Sequence, residues 1–211
     1  MDEKVLAAMA RWPDVPDVYG WLSLSERGEW RLHPQGDALL PEHCTDGGYS
    51  PGESISSPPI LQFINRNYEA DDRGQWYFQN GPQRVFVRLD AAPHILRTVT
   101  AKAGGTGLRS HTGQDITAVQ AWWLDDGGKL YAETDRGPGL IAGRDLADLL
   151  ARLHLDGGGT LLDALEHAPA KGPLRVTGSP ALSASLRFCA EADVAGILGF
   201  VRCPALGRIT P

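Results

Sequence analysis

Apolar residues recur at two different spacings along the chain, and the two periods separate strands from helices. Trp21, Ser23, Trp30 and Leu32 alternate with polar or outward positions on either side of Glu26-Arg27-Gly28, which predicts a β-hairpin. A second hairpin is predicted where Trp76 and Phe78 face one way and Val85, Val87 and Leu89 keep the same period around the turn Asn80-Gly81-Pro82. Helical spacing occurs at Val5, Leu6 and Met9, where Pro13 and Pro16 forbid continuation. It occurs again at Ile60, Leu61, Phe63, Ile64 and Tyr68, after Ser57-Pro58-Pro59 as cap and first turn, in a helix ending by Asp71. Residues 94–100 predict a further strand.

The second half follows the same order. Residues 121–134 form an aromatic-led hairpin pattern, and GRDLADLLARLHL from Gly143 is an amphipathic helix with an acidic, glycine-containing stop. A short helix is expected over 160–167, and strands over 184–190 and 196–202. The fold class this predicts is α+β: two similar β-hairpin–helix–β halves, mostly antiparallel sheet wrapped on helices. The halves are residues 1–103, with a loop insertion at 34–57, and 114–211, joined at a glycine-rich seam over 104–113. At 211 residues one continuous domain is the alternative.

Composition narrows the partners. A hydrophobic fraction of 42% with 22% charged residues belongs to a folded chain, and the net charge of −6 with scattered Lys and Arg lacks the basic face of a nucleic-acid binder. The longest apolar run, near 194–201, is far short of the ~20 residues that span a bilayer. No nucleic acid, membrane or cofactor partner is therefore expected, and a cytoplasmic location follows from an acidic start without an apolar signal core. Cys44, Cys189 and Cys203 are odd in number and irregularly spaced, which predicts unpaired, buried thiols in a reducing compartment.

Several patterns invite a catalytic reading. Gly48-Tyr49-Ser50-Pro51-Gly52 fits Gly-x-Ser-x-Gly, but Pro51 lacks the N–H that an oxyanion hole needs after the serine. His33, His43, Cys44, His94 and His111 have no paired spacing that fixes two metal ligands on one face, so no metal is expected. The glycine runs at 104–107 and 157–159 lack the P-loop ending and read as turns, with Thr160 as a helix cap. Asp71-Asp72 and Asp125-Asp126 precede glycines as turn caps.

The polar words INRNY and QNGPQR are a better candidate. Asn65, Arg66, Asn67, Tyr68, Trp76, Gln79, Asn80, Gln83 and Arg84 combine amides, guanidinium and aromatic rings, the chemistry of a site for a small ligand, peptide or anion. The alternative is that they cap the helix and hairpin, with Arg66 and Arg84 paired to neighbouring aspartates. Of the six tryptophans most are expected as core anchors, with Trp122 and Trp123 on opposite strand faces.

At RWPDVPDVYGWLSL, FINRNYEADDRGQWYFQNGPQRVFVRLD and AAPHIL the chain resembles an uncharacterised proteobacterial family of unknown function, most closely over the first half. The 34–57 loop and His94 depart from that pattern. The order of its motifs also resembles a related family with a repeated α+β motif and a suggested signalling or ligand-binding role. These likenesses imply no catalytic residues. The function expected is a non-catalytic ligand- or partner-binding or regulatory protein, using the surface around Arg66, Asn80 and Arg84 or a groove between the halves. The alternatives are a small hydrolytic or metal-assisted enzyme drawing on Ser50, His43 or His111, and a homo-oligomeric interaction module.

Overall fold

The computed structural model describes residues 1–44, 51–101, 104–167 and 172–204. Its two compact units are Met1–Ala91 together with the segment from Gly199 onward, and Ala92–Leu198. The division lies upstream of the seam expected at 104–113. The cause is strand pairing, described with the second unit below.

The first unit runs α1 (Glu3–Arg11), β1 (Val18–Leu24), β2 (Trp30–Leu32), β3 (Glu53–Ser54), α2 (Pro58–Arg66), β4 (Tyr68–Ala70), β5 (Trp76–Asn80) and β6 (Gln83–Leu89). Its six-stranded sheet has the order β3-β2-β1-β6-β5-β4. The β1–β2 and β5–β6 hairpins are antiparallel as the alternation predicts, and β1 pairs with β6 in parallel. The helix expected to reach Asp71 stops at Arg66, because the chain turns at Asn67 and enters β4 against β5. Trp30, Tyr68 and Trp76 form an aromatic core, with Trp30 and Tyr68 edge to face at 5.0 Å. Of the six tryptophans, Trp30, Trp76 and Trp122 are buried, whereas Trp12 and Trp21 are 48% and 45% exposed.

The second unit runs β7 (His94–Thr100), β8 (Thr106–Ser110), β9 (Asp115–Ile116), β10 (Val119–Asp125), β11 (Leu130–Thr134), β12 (Gly137–Ile141), α3 (Gly143–Arg152), β13 (His154–Leu155), α4 (Leu161–His167), β14 (Leu174–Thr177), β15 (Ala184–Cys189) and α5 (Val194–Leu198). Its nine strands are ordered β13-β14-β15-β10-β11-β12-β7-β8-β9. Strand β7 pairs with β12 and β8, which places it in this unit. Read from β12 to β13, the order β12-β11-β10-β15-β14-β13 reproduces the pairing of the first sheet, including the parallel central pair β10·β15. Trp122 is fully buried and donates its indole N–H to the Leu182 carbonyl at 2.9 Å, while Trp123, on the other face, lies beneath the Arg187 guanidinium. The expected strand over 196–202 is instead the helix α5, followed by a segment whose Arg202 carbonyl accepts from the Leu89 N–H of the first unit's sheet. Mixed sheets with a few helices therefore describe both units.

The cysteine expectation is corrected. Cys44 and Cys203 form a disulfide with Cα atoms 6.1 Å apart, and Cys189 is the free thiol. Among the described residues no helix is long and apolar enough to cross a membrane.

Candidate functional site

The word QNGPQR folds as the tip of the β5–β6 hairpin. Its turn is the two residues Gly81-Pro82, with φ +60° at Gly81. Glycine followed by a residue locked at negative φ is the type II′ turn, whose twist matches a hairpin. A two-residue turn leaves Asn80 opposite Gln83 and Gln79 opposite Arg84. Alternation along each strand then sends the two pairs to opposite faces of the sheet.

On one face Asn80 and Gln83 join Phe78 and Val85 in the wall of a 470 Å³ cleft closed by Ile60 and Ile64 of α2. Trp21, Leu22 and Leu32 also line it. Trp21 and Leu22 are sequence neighbours, so a regular strand would point them apart. A bulge between Val18 and Leu22, with Gly20 at φ +83°, brings both to the cleft. A Cβ at Gly20 would lie 2.2 Å from the Gly36 carbonyl oxygen, so only glycine fits this bulge. Ile60, Trp21 and Leu32 remain 50%, 45% and 39% exposed. The polar groups at the rim are the exposed Asn80 amide and Gln83, whose Nε2 donates to the Pro16 carbonyl at 3.0 Å.

On the other face Gln79 and Arg84 border a wider 610 Å³ cleft whose opposite wall is the 12–17 segment between α1 and β1. The Arg84 guanidinium lies over the Tyr77 ring, 4.8 Å from its centroid. Tyr77 donates to Glu69 at 2.6 Å, and burial together with that bond raises its hydroxyl pKa far above the usual value. Gln79 is fully buried, and its Nε2 donates to the Gly81 carbonyl at 2.9 Å.

The other predicted residues serve the fold. Asn65 accepts from the Trp30 indole at 2.8 Å, and the buried Asn67 accepts from the Asp2 backbone N–H at 2.8 Å while donating to the Phe63 carbonyl. Arg66 pairs with Asp2 rather than with a neighbouring aspartate, and its hydrogen bond holds the Asp2 carboxyl below its usual pKa. Arg84 forms no ion pair among the described residues, contrary to the expected aspartate partner. Tyr68 and Trp76 belong to the core. The nine residues therefore separate into five that hold α1, α2 and the sheet together and four that border the two clefts.

Of the catalytic candidates, Ser50 lies outside the described residues, and His43 and His111 belong to different units. Sequence reading missed a Ser-His-Asp chain: Ser23 Oγ lies 2.8 Å from His33 Nε2, and His33 Nδ1 lies 3.5 Å from Asp37. Ser23 and His33 are both buried, so this trio ties β1 to β2 and offers no nucleophile to a substrate. Burial and the nearby Arg88 charge lower the His33 pKa. Among the described residues no three metal-ligating side chains converge. Thr160 caps α4, accepting from the Asp163 N–H at 3.1 Å, and Asp71 and Asp125 accept backbone N–H bonds within their turns.

The family model DUF2944, described as a protein of unknown function (DUF2946), matches residues 1–205. The chain belongs to this family. The match spans both units, although the distinctive words lie in the first. A DUF1285 family protein from Silicibacter pomeroyi DSS-3 has a crystal structure similar to this chain at TM-score 0.50 and 12% identity, covering 92% of this chain and 99% of that one. Another DUF1285 family protein, from Shewanella baltica OS155, reaches TM-score 0.42 at 13% identity over 62% and 90% of the two chains. Likeness at this identity concerns the fold alone. No curated protein matches the chain.

Sequence reading also missed Trp21, Leu32 and Ile60 as cleft residues. The available signal was adjacency: Gly20-Trp21-Leu22 puts two large apolar side chains beside a glycine, the composition of a bulge that re-aims a side chain.

Proposed function

We propose that the chain is a non-catalytic binding protein whose first unit takes a small, largely apolar molecule into the cleft between α2 and the sheet. The observation that carries this reading is the convergence of Trp21, Leu32 and Ile60, each more than a third exposed, on one concavity instead of their scattering over the surface. Its 470 Å³ volume lies within the range of about 300–1,000 Å³ typical of small-molecule sites. The lining fits as well: apolar and aromatic walls with few polar groups, here the Asn80 amide and the free carbonyl end of Gln83. An alkyl chain or ring would displace water from the apolar wall, while a hydroxyl or carbonyl end would meet the amides.

The test is an NMR titration with 1-decanol and indole, following the Trp21 indole N–H and the α2 amides. The reading expects saturable shifts confined to these groups for at least one probe, and their loss in Ile60→Glu, which places a charge in the cleft. Because Ile60 is already half exposed, that variant is expected to fold. Shifts spread over the surface without saturation, or unchanged binding in Ile60→Glu, would overturn the reading.

A further inference from the structure

We infer that the opposite face of the β5–β6 hairpin is a second, separate site, built for a small zwitterion of the α-amino acid class with an apolar side chain. The cleft there carries charges of both signs that leave each other unpaired. Arg84 stands on one wall, Asp14 and Asp17 on the other, and none of the three side chains forms an ion pair or hydrogen bond among the described residues. Paired charges would neutralise each other and leave little to recognise. Unpaired charges facing one cavity are complementary to a ligand that brings both partners.

Arg84 is held ready for a carboxylate. Its guanidinium lies over the Tyr77 ring, which is fixed in turn by the hydrogen bond to Glu69, and its N–H groups donate to no side chain or carbonyl among the described residues. The guanidinium edge presents parallel donors with the spacing of carboxylate oxygens, and little side-chain freedom remains to be lost on binding. The cross-strand neighbour Gln79 is anchored to Gly81, so it neither competes for the guanidinium nor moves away from it.

The facing wall is stiff and acidic. Pro13 and Pro16 lock φ on either side of Asp14 and Val15, which limits the conformations that this connection between α1 and β1 can adopt. The two carboxylates would hold an ammonium and would repel a phosphate or other polyanion. The Trp12 indole, 48% exposed and with the Arg11 guanidinium over one side of its ring at 4.7 Å, also lines the cleft and offers its remaining surface to the ligand's side chain. A monocarboxylate with an amine and an apolar side chain meets all three groups. This site shares no lining residue with the apolar cleft, so each can fail without the other.

The experiment is isothermal titration of the full chain with L-tryptophan, L-phenylalanine and L-leucine, and with 3-phenylpropionate and 2-phenylethylamine as analogues carrying one charge each. At least one amino acid is expected to bind saturably, with both single-charge analogues weaker by about tenfold or more. Arg84→Gln and Asp17→Asn should each lower that affinity by about tenfold, while Arg66→Gln, on a side chain paired with Asp2, leaves it unchanged. Asp17 is exposed in a connecting segment, so Asp17→Asn stays informative if Arg84→Gln disturbs the hairpin. Binding of 3-phenylpropionate as tight as that of the amino acid would overturn the zwitterion assignment, as would affinity unaffected by both cleft variants. Absence of saturable heat with all three amino acids would overturn the site itself.

Discussion

Acidification from about pH 7.5 to about pH 5.5 should destabilise the second unit through two buried histidines. His94 donates from Nε2 to the Arg136 carbonyl at 2.8 Å, and His111 accepts the Ile95 N–H at Nδ1, with the two rings 5.8 Å apart. Burial lowers the His94 pKa to about 4, and burial, reinforced by His94 and Arg97, lowers that of His111 well below its usual value. Both groups bind protons more weakly folded than unfolded. Their stabilisation is therefore fully present above the unfolded value of about 6.5 and is lost as pH falls below it. At about pH 5.5 the unfolded imidazole is some ten parts protonated to one, which for a folded pKa near 4 costs about 1.3 kcal/mol. His111 acts in the same direction, so the loss exceeds that from His94 alone. Most carboxylates stay ionised in this window, which isolates the histidine contribution. Urea titrations at the two pH values, read by hydrogen exchange at β10 and β11 amides, measure it. Equal stability at both pH values would refute the reasoning, and so would an unchanged pH slope in the double variant His94→Gln/His111→Gln.

Three further outcomes follow from the packing. Arg88 is fully buried, donating to Asp90 at 3.1 Å and to the Ala38 carbonyl at 3.0 Å, so Arg88→Ala should cost about 3–5 kcal/mol in urea unfolding by leaving Asp90 without its charge partner. Asn67→Ala removes a buried link between α2 and Asp2 and should cost about 1–3 kcal/mol, whereas Arg66→Gln breaks an exposed pair and should change stability by less than about 1 kcal/mol; equal effects would refute the distinction. Thiol titration of the unreduced, denatured chain should find one reactive cysteine rather than three, and reduction should lower the thermal midpoint, since closing a loop of sequence separation 159 contributes up to about 5 kcal/mol on the chain-entropy account.

Local chemistry made the hairpins and the longer helices legible. Alternation of large apolar residues around Glu26-Arg27-Gly28 and Gly81-Pro82, and the Ser-Pro-Pro start of α2, each act within a few residues, where a sequence pattern is a physical cause. The short apolar run that forms α5 was misread as strand because a run of this length fits either period until its partners are known. The Cys44–Cys203 disulfide and the place of β7 were illegible for a related reason. Each depends on residues far apart in sequence, with β7 placed by β12 some forty positions later and Cys44 by a return of the chain after the whole second unit.

The candidate site shows the same boundary between local and distant causes. Its polar composition was plain in QNGPQR, but composition does not say which way each side chain points. That is decided by the turn: two residues at Gly81-Pro82 keep Asn80 with Gln83 and Gln79 with Arg84, and a loop one residue longer would shift the register and exchange the faces of β6. The turn type was readable from a glycine followed by a proline, so the division of the word into an apolar-cleft pair and a charged-cleft pair lay within reach of the sequence. What covers each face did not. Helix α2 reaches one face because β3 and β4 lie at opposite edges of the sheet, and the 12–17 segment borders the other because it joins α1 to β1; both facts belong to the strand order. Six adjacent residues thus divide between two chemically different faces of the sheet, and their mixed composition reflects that division.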